Sequence, residues 1–184
     1  MPRYTIASKV LLVSAIAAGL TACGPSKVDQ CNSLSTPINK VKPTVEKFSQ
    51  GGRDFEKEVQ AAGEKQDLPK IQSLLKEYAD GTRGLGKEMD GLSKEISGVP
   101  LKDEALIGFQ KQYVQTVEGF NQEIGKLTST LDTMSKSKLD TPEGQAEFQK
   151  AGNSLDSSGQ KVTALVQQES KTVDEFNTYC TGKK

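Results

Sequence analysis

The chain has 184 residues, of which 24 are basic and 24 acidic, so its formal net charge is zero. This balance argues against a nucleic-acid partner, because the negatively charged phosphate backbone binds basic protein surfaces. The chain contains no histidine, which excludes histidine-based catalytic triads and histidine-ligated zinc, di-iron and haem sites.

The beginning of the chain has the pattern of a secretory signal. Arg3 and Lys9 supply positive charge without an acidic residue, and residues 10–20 form an apolar stretch. At about 1.5 Å per helical residue this stretch is too short to span a bilayer, and it has the length of a signal-peptide core. Residues 1–22 are therefore predicted to be removed. This removal leaves 22 basic and 24 acidic residues, a net charge near −2.

The apolar stretch ends at Leu20-Thr21-Ala22-Cys23, which resembles the lipobox of bacterial lipoproteins. The resemblance implies cleavage before Cys23, a thioether from its thiol to diacylglycerol, and often an acyl chain such as palmitate on its amino group. It also implies an exported protein of the cell envelope, held at a membrane by lipid. Gly24 stands where enterobacterial lipoproteins kept at the inner membrane often carry Asp. In a cell with two membranes it therefore favours the outer membrane, on its periplasmic or surface side.

Two cysteines remain, Cys31 and Cys180. An even pair in an exported chain predicts a disulfide. The alternatives are two free thiols or a metal pair, but a closed zinc site needs four ligands, and the mature chain offers no histidine and no third free thiol. The predicted bond closes a loop of about 150 residues, which stabilises the fold by about 5 kcal/mol in the chain-entropy model.

The rest of the chain carries the spacing of amphipathic helices. Apolar residues recur every three or four positions, as in a heptad seam, in four segments. These segments cover residues 31–62, 68–99, 106–134 and 148–180. Because short loops join them, the sequence predicts an all-α fold. Its form is an up-down-up-down four-helix bundle of long antiparallel helices, stapled by the disulfide.

Capping residues mark the ends of these helices. Asp67 precedes Leu68-Pro69 and Thr141 precedes Pro142, and both pairs are typical of helix starts. Gly63 is predicted to end the first helix. Ser97-Gly98-Val99-Pro100 is predicted to separate the second helix from the third.

Some residues fit the predicted helices poorly. Pro37 suits a first helical position behind Thr36, whereas Pro43 must kink the first helix or mark its true start. Thr82 is a polar residue at a seam position. Glycines inside the proposed helices lower helix stability by about 1 kcal/mol each.

Two local patterns approach catalytic motifs without matching them. Residues 81–88 nearly fit the phosphate-binding G-x-x-x-x-G-K-[ST] pattern, but Glu88 replaces the hydroxyl residue that binds magnesium, and no strand precedes it. Ser73 and Lys76 have S-x-x-K spacing but lack the partner motifs of that enzyme class. We therefore expect no enzyme activity, no cofactor and no metal.

The predicted organisation is a signal peptide at 1–22, a short membrane tether at 23–30 and one helical-bundle domain at 31–184. Its lipid anchor and charged helix faces predict a non-enzymatic interaction, scaffold or assembly module of the envelope. The expected partners are a membrane and an envelope protein, with no nucleic acid. A small-ligand-binding or sensory bundle is the alternative. Alternating helices would place the first and third turns far from the membrane. Partners are expected at these turns, near Glu64, Lys136 and Lys138, or along the long polar faces between them.

Overall fold

The computed structural model describes residues 25–182, most of which lie in five helices. The helices are α1 (Lys27–Ile38), α2 (Val41–Glu64), α3 (Leu68–Ser97), α4 (Glu104–Lys136) and α5 (Pro142–Thr181). This part of the chain contains no strand, so the predicted all-helical fold is confirmed. None of the described helices is long and apolar enough to cross a membrane.

Side-chain caps begin two helices at the predicted places. The Asp67 carboxylate accepts a hydrogen bond from the Lys70 backbone N–H at 3.0 Å. The Thr141 hydroxyl accepts one from the Gly144 backbone N–H at 3.1 Å. Each bond satisfies an N–H that has no partner within the helix. The predicted break after the second segment is also confirmed, because α3 ends at Ser97.

The first predicted segment forms two helices rather than one. The chain leaves the helix at Asn39 and Lys40, and Pro43 is the third residue of α2. The backbone N–H groups of the first helical turn have no partner within the helix, so a proline there loses no hydrogen bond. Pro43 therefore marks the start of a helix. Pro37 is not at a first helical position, since it lies in the last turn of α1.

The turn between α2 and α3 also differs from the prediction. The helix continues one residue past Gly63, so this glycine does not end it. Gln66 instead adopts the left-handed backbone conformation, with φ of 53°. Its N–H donates to the Gly63 carbonyl oxygen at 2.9 Å, and the Asp67 N–H donates to the Ala62 carbonyl oxygen at the same distance. These two bonds satisfy carbonyl groups that the helix end leaves free.

The long helices pack against each other in chain order. α3 contacts both α2 and α4, α4 contacts α5, and α1 covers one end by touching α2, α3, α4 and α5. α2 and α5 have almost no contact with each other. The result is a helical bundle with an open side between its two outer helices.

Two clusters of buried apolar residues form the core. The larger one lies at the α1 end, and its members are Cys31, Leu34, Ile38, Val41, Leu85, Met89, Leu92, Ile96, Leu106, Tyr113, Val117, Phe120, Ile124 and Phe176. The smaller one comprises Leu75, Ala79, Leu131, Met134 and Ala151. The seam residue Thr82 is buried, and its hydroxyl oxygen lies 2.9 Å from that of Thr128 in α4. This pairing accommodates a polar residue in the seam.

Candidate functional site

The two cysteines predicted to bond are joined in the structure. Cys31 in α1 and Cys180 in α5 form a disulfide with their Cα atoms 5.9 Å apart, which confirms the predicted pair. The bond therefore links the first and last described helices. Cys23, the predicted lipidation site, lies outside the described residues, as does the predicted signal peptide at 1–22.

Polar side chains around the disulfide connect three parts of the chain. The amide oxygen of Gln30 in α1 accepts hydrogen bonds from the backbone N–H groups of Lys102 and Asp103, at 2.6 and 3.0 Å. The Asp103 carboxylate accepts another from the Tyr179 hydroxyl at 2.8 Å. The Lys27 ammonium lies 3.5 Å from the centre of the Tyr179 ring. These contacts hold the α3–α4 turn against α1 and α5 at what we call the disulfide pole.

A groove runs along the open side of the bundle, between α2 and α5. Near the disulfide pole it forms a cleft of about 510 Å³, and a second cleft of about 610 Å³ continues it. The clefts adjoin where Gly52 and Arg53 follow each other in α2. This α2–α5 groove has walls from α2 and α5 and a floor formed by Tyr78, Tyr113, Phe120, Leu127 and Leu131.

Apolar residues of the two walls are only partly covered. Val45 and Phe55 on α2 and Leu155 and Val173 on α5 are half-buried, and Val166 is 38% exposed. Helical spacing predicted all five as core positions. They stay partly exposed because each outer helix packs mainly on one inner helix, so one side of its apolar stripe has no neighbour.

A buried polar contact lies at the floor of the groove. The Tyr113 side chain is fully buried, and its hydroxyl donates a hydrogen bond to the Glu169 carboxylate of α5. Burial, this hydrogen bond and the charge of Glu169 raise the pKa of Tyr113 far above its usual value. The phenol therefore stays protonated, and its hydrogen bond holds the Glu169 carboxylate at the groove.

Acidic groups outnumber basic groups along the groove. Seven charged side chains line it, namely the carboxylates Glu46, Glu56, Asp156, Glu169 and Asp174 and the cations Lys42 and Arg53. Within residues 25–182, only Glu46 among these carboxylates has a cation within 4 Å, and that cation is Lys42 at 3.9 Å. The lining therefore carries an excess of three negative charges.

Another buried acid, Glu123, lies between α4 and α5 and is not part of the groove lining. It is 7% exposed, and one carboxylate oxygen lies 2.6 Å from the Lys126 ammonium and 4.0 Å from that of Lys161. Burial opposes its ionisation, but the two ammonium groups, with a smaller contribution from the Ser158 hydroxyl, outweigh burial and lower the pKa of Glu123. Glu123 was not among the residues predicted from the sequence. The available signal was its position three residues after Phe120 and four before Leu127, which is seam spacing.

The residues expected to contact partners are on the surface. Glu64, Lys136 and Lys138 are all exposed. The side-chain amide of Gln72, early in α3, donates to the Ser137 carbonyl oxygen at 3.1 Å. This contact brings the start of α3 beside Lys136, the last residue of α4, and the turn that carries Lys138.

No group of three or more acidic, cysteine or histidine side chains in residues 25–182 is placed to hold a metal ion. Comparison of the chain with protein-family models, curated proteins and solved structures produced no match.

Proposed function

We propose that this chain is a lipid-anchored, non-enzymatic module of the bacterial cell envelope that binds other proteins as a scaffold or assembly factor. The α2–α5 groove carries the proposal, because partly exposed apolar walls of this extent are typical of interaction sites. The lipobox-like segment ending at Cys23 supports the membrane anchor. The composition of the chain supports a role without catalysis.

Within this module we propose an up-down-up-down arrangement of α2, α3, α4 and α5. Contacts between the ends of successive helices support it, because early residues of one helix meet late residues of the next. Two such contacts are Thr44 with Glu88 and Gln72 with Ser137. A third is Tyr113, early in α4, with Glu169, late in α5. In this arrangement the turns near Glu64 and Lys138 share one end of the bundle, and the disulfide pole is the other.

The disulfide pole is the end proposed to face the membrane. Eight residues separate Cys23 from Cys31, which limits their distance to about 27 Å. α1 begins at Lys27, so the last four residues of the predicted tether are helical and the reach is shorter still. The groove and the opposite turns then extend away from the lipid surface.

The anchor and the interaction are tested together in the native envelope. Intact mass spectrometry is expected to find a mature chain that begins at an acylated Cys23, and Cys23→Ser should block processing. A photoreactive residue at Lys138 should form an adduct with an envelope protein, whereas one at Lys111, near the proposed membrane end, should not. An unmodified amino terminus would contradict the anchor. Absence of adducts from Lys138 and from the groove would contradict the interaction role.

A small-ligand-binding role is the second candidate function. The 510 Å³ cleft near the disulfide pole supports it, since this volume falls in the range of small-molecule sites. The cleft combines an apolar floor at Phe120 with the polar Tyr113–Glu169 contact. A metabolite that raises the melting temperature of the purified chain would favour this role.

A further inference from the structure

The α2–α5 groove has the length of a helix rather than of a compact molecule. Leu155 and Val173, both in its α5 wall, are 18 residues apart, which corresponds to about 27 Å along the helix axis. Its floor runs along α4 from Tyr113 to Leu131, and most of these floor residues are apolar. A compact metabolite fills only part of such a groove, whereas an amphipathic helix of about five turns fills all of it.

The negative charge of the groove lining distinguishes among the long, apolar molecules that could fit its shape. Of the five carboxylates that line the groove, four have no cation within 4 Å in the described part of the chain. A second copy presenting the same groove would bring the same acidic excess, and anionic lipids would also add negative charge. Like charges across an interface are unfavourable, whereas basic groups beside an apolar stripe are complementary.

We propose that the α2–α5 groove binds an amphipathic helix of a partner protein whose apolar stripe is flanked by Lys and Arg. This inference rests on the proposed interaction function and names its surface and the class of partner. The apolar stripe contacts partly exposed residues such as Val45 and Val166. The flanking cations pair with carboxylates on opposite walls, including Glu56 and Asp156.

The probe is a 21-residue peptide, about 31 Å long as a helix, with Leu at the a and d positions of its heptads and Lys at the e and g positions. A matched peptide carries Glu at e and g. Each peptide contains one photoreactive leucine and is presented to the full lipidated chain in zwitterionic nanodiscs. Mass spectrometry then locates the labelled residues, which separates binding to the groove from adsorption to lipid.

The basic peptide is expected to label α2 and α5 residues of the groove, at least about 10-fold more than the acidic peptide. The double variant Glu56→Lys/Asp156→Lys should reduce that labelling by a similar factor. The control Glu58→Lys/Glu118→Lys makes the same change of charge at exposed positions outside the lining and should change labelling less than about 2-fold. Circular dichroism melting of both variants checks that the fold is retained.

Equal labelling by both peptides, or an equal loss in the control variant, would overturn the proposal. Groove-to-groove crosslinks between two copies would assign the surface to self-association and would also overturn it. So would preferential labelling of the groove by a photoreactive anionic phospholipid. If the peptide fails while acylated Cys23 and Lys138 adducts persist, the proposed function stands and only this inference falls.

Discussion

At the residue scale, Glu123 is a buried acid whose neighbouring cations come from two different helices. One of its oxygens meets the Lys126 ammonium, and the other has no hydrogen-bond partner within the described residues. A buried carboxylate is stable only when neighbouring cations compensate for lost hydration. Here the compensation comes from α4 itself and from Lys161 of α5, so the charge links two helices.

Glu123 should make the free energy of unfolding decrease at acidic pH. Its pKa is lowered in the folded chain, so its stabilising effect is present above the unfolded value of about 4.3 and is lost as pH falls through the folded pKa. Glu123→Gln should lower the free energy of unfolding by about 1 kcal/mol at neutral pH. The variant should also lose less unfolding free energy than the unmodified chain as the pH falls.

Urea unfolding at pH 6 and at pH 3 measures both effects. Some decline should remain in the variant, because hydrogen bonds also lower the pKa values of Asp29 and Asp103. Glu118→Gln, at an exposed position of the same helix, is the control. If Glu123→Gln and the unmodified chain lose the same unfolding free energy between pH 6 and pH 3, Glu123 is not a charged group that its neighbours stabilise.

At the element scale, the start of α5 depends on a glycine. A Cβ atom at Gly144 would lie 1.9 Å from the Lys138 carbonyl oxygen, so the α4–α5 turn passes too close for any side chain. Several other helical glycines have no such constraint, and at Gly119 the Cβ would meet only the Leu165 side chain, at 2.9 Å. At Gly125 in α4, for example, a Cβ would meet nothing within 4 Å.

These two glycines should respond in opposite directions to alanine. Gly144→Ala should destabilise the chain by about 1–3 kcal/mol, because the backbone must shift to relieve the overlap. Gly125→Ala should stabilise it by up to about 1 kcal/mol, because alanine favours the helix and meets no obstacle. Chemical denaturation of both variants measures the pair. A Gly144→Ala variant as stable as the unmodified chain would contradict the close approach.

At the scale of the whole molecule, the disulfide connects the ends of a long chain. Cys31 and Cys180 are separated by 149 positions, so the bond limits the unfolded ensemble more than a local bond would. It also holds α1 and α5 together at the end where α1 touches the other helices.

Replacing both cysteines should therefore weaken the whole fold. The double variant Cys31→Ser/Cys180→Ser is expected to lose up to about 5 kcal/mol of unfolding free energy, most of it through a larger unfolded ensemble. Melting curves with and without dithiothreitol measure this loss. The reductant should lower the melting temperature of the unmodified chain and leave the variant unchanged. Equal melting temperatures of the unmodified chain and the double variant, measured without dithiothreitol, would contradict a stabilising disulfide.

Local signals in the sequence determined several features of the fold. Asp67 and Thr141 start helices because their side chains cap N–H groups a few residues away, and those contacts need no distant partner. The pairing of Cys31 with Cys180 followed from counting thiols in a chain with a secretion signal. The predicted anchor at Cys23 likewise comes from local sequence, and it remains a prediction.

Tertiary structure alone decided which apolar stripes are covered. Val45 and Phe55 in α2 have the same seam spacing as Leu85 and Leu92 in α3, yet the α2 residues are half-buried and the α3 residues are buried. Helical spacing specifies that a face is apolar but not how many neighbours it meets. The α2–α5 groove, the surroundings of Glu123 and the contact at Gly144 all depend on where other helices lie, which no local pattern encodes.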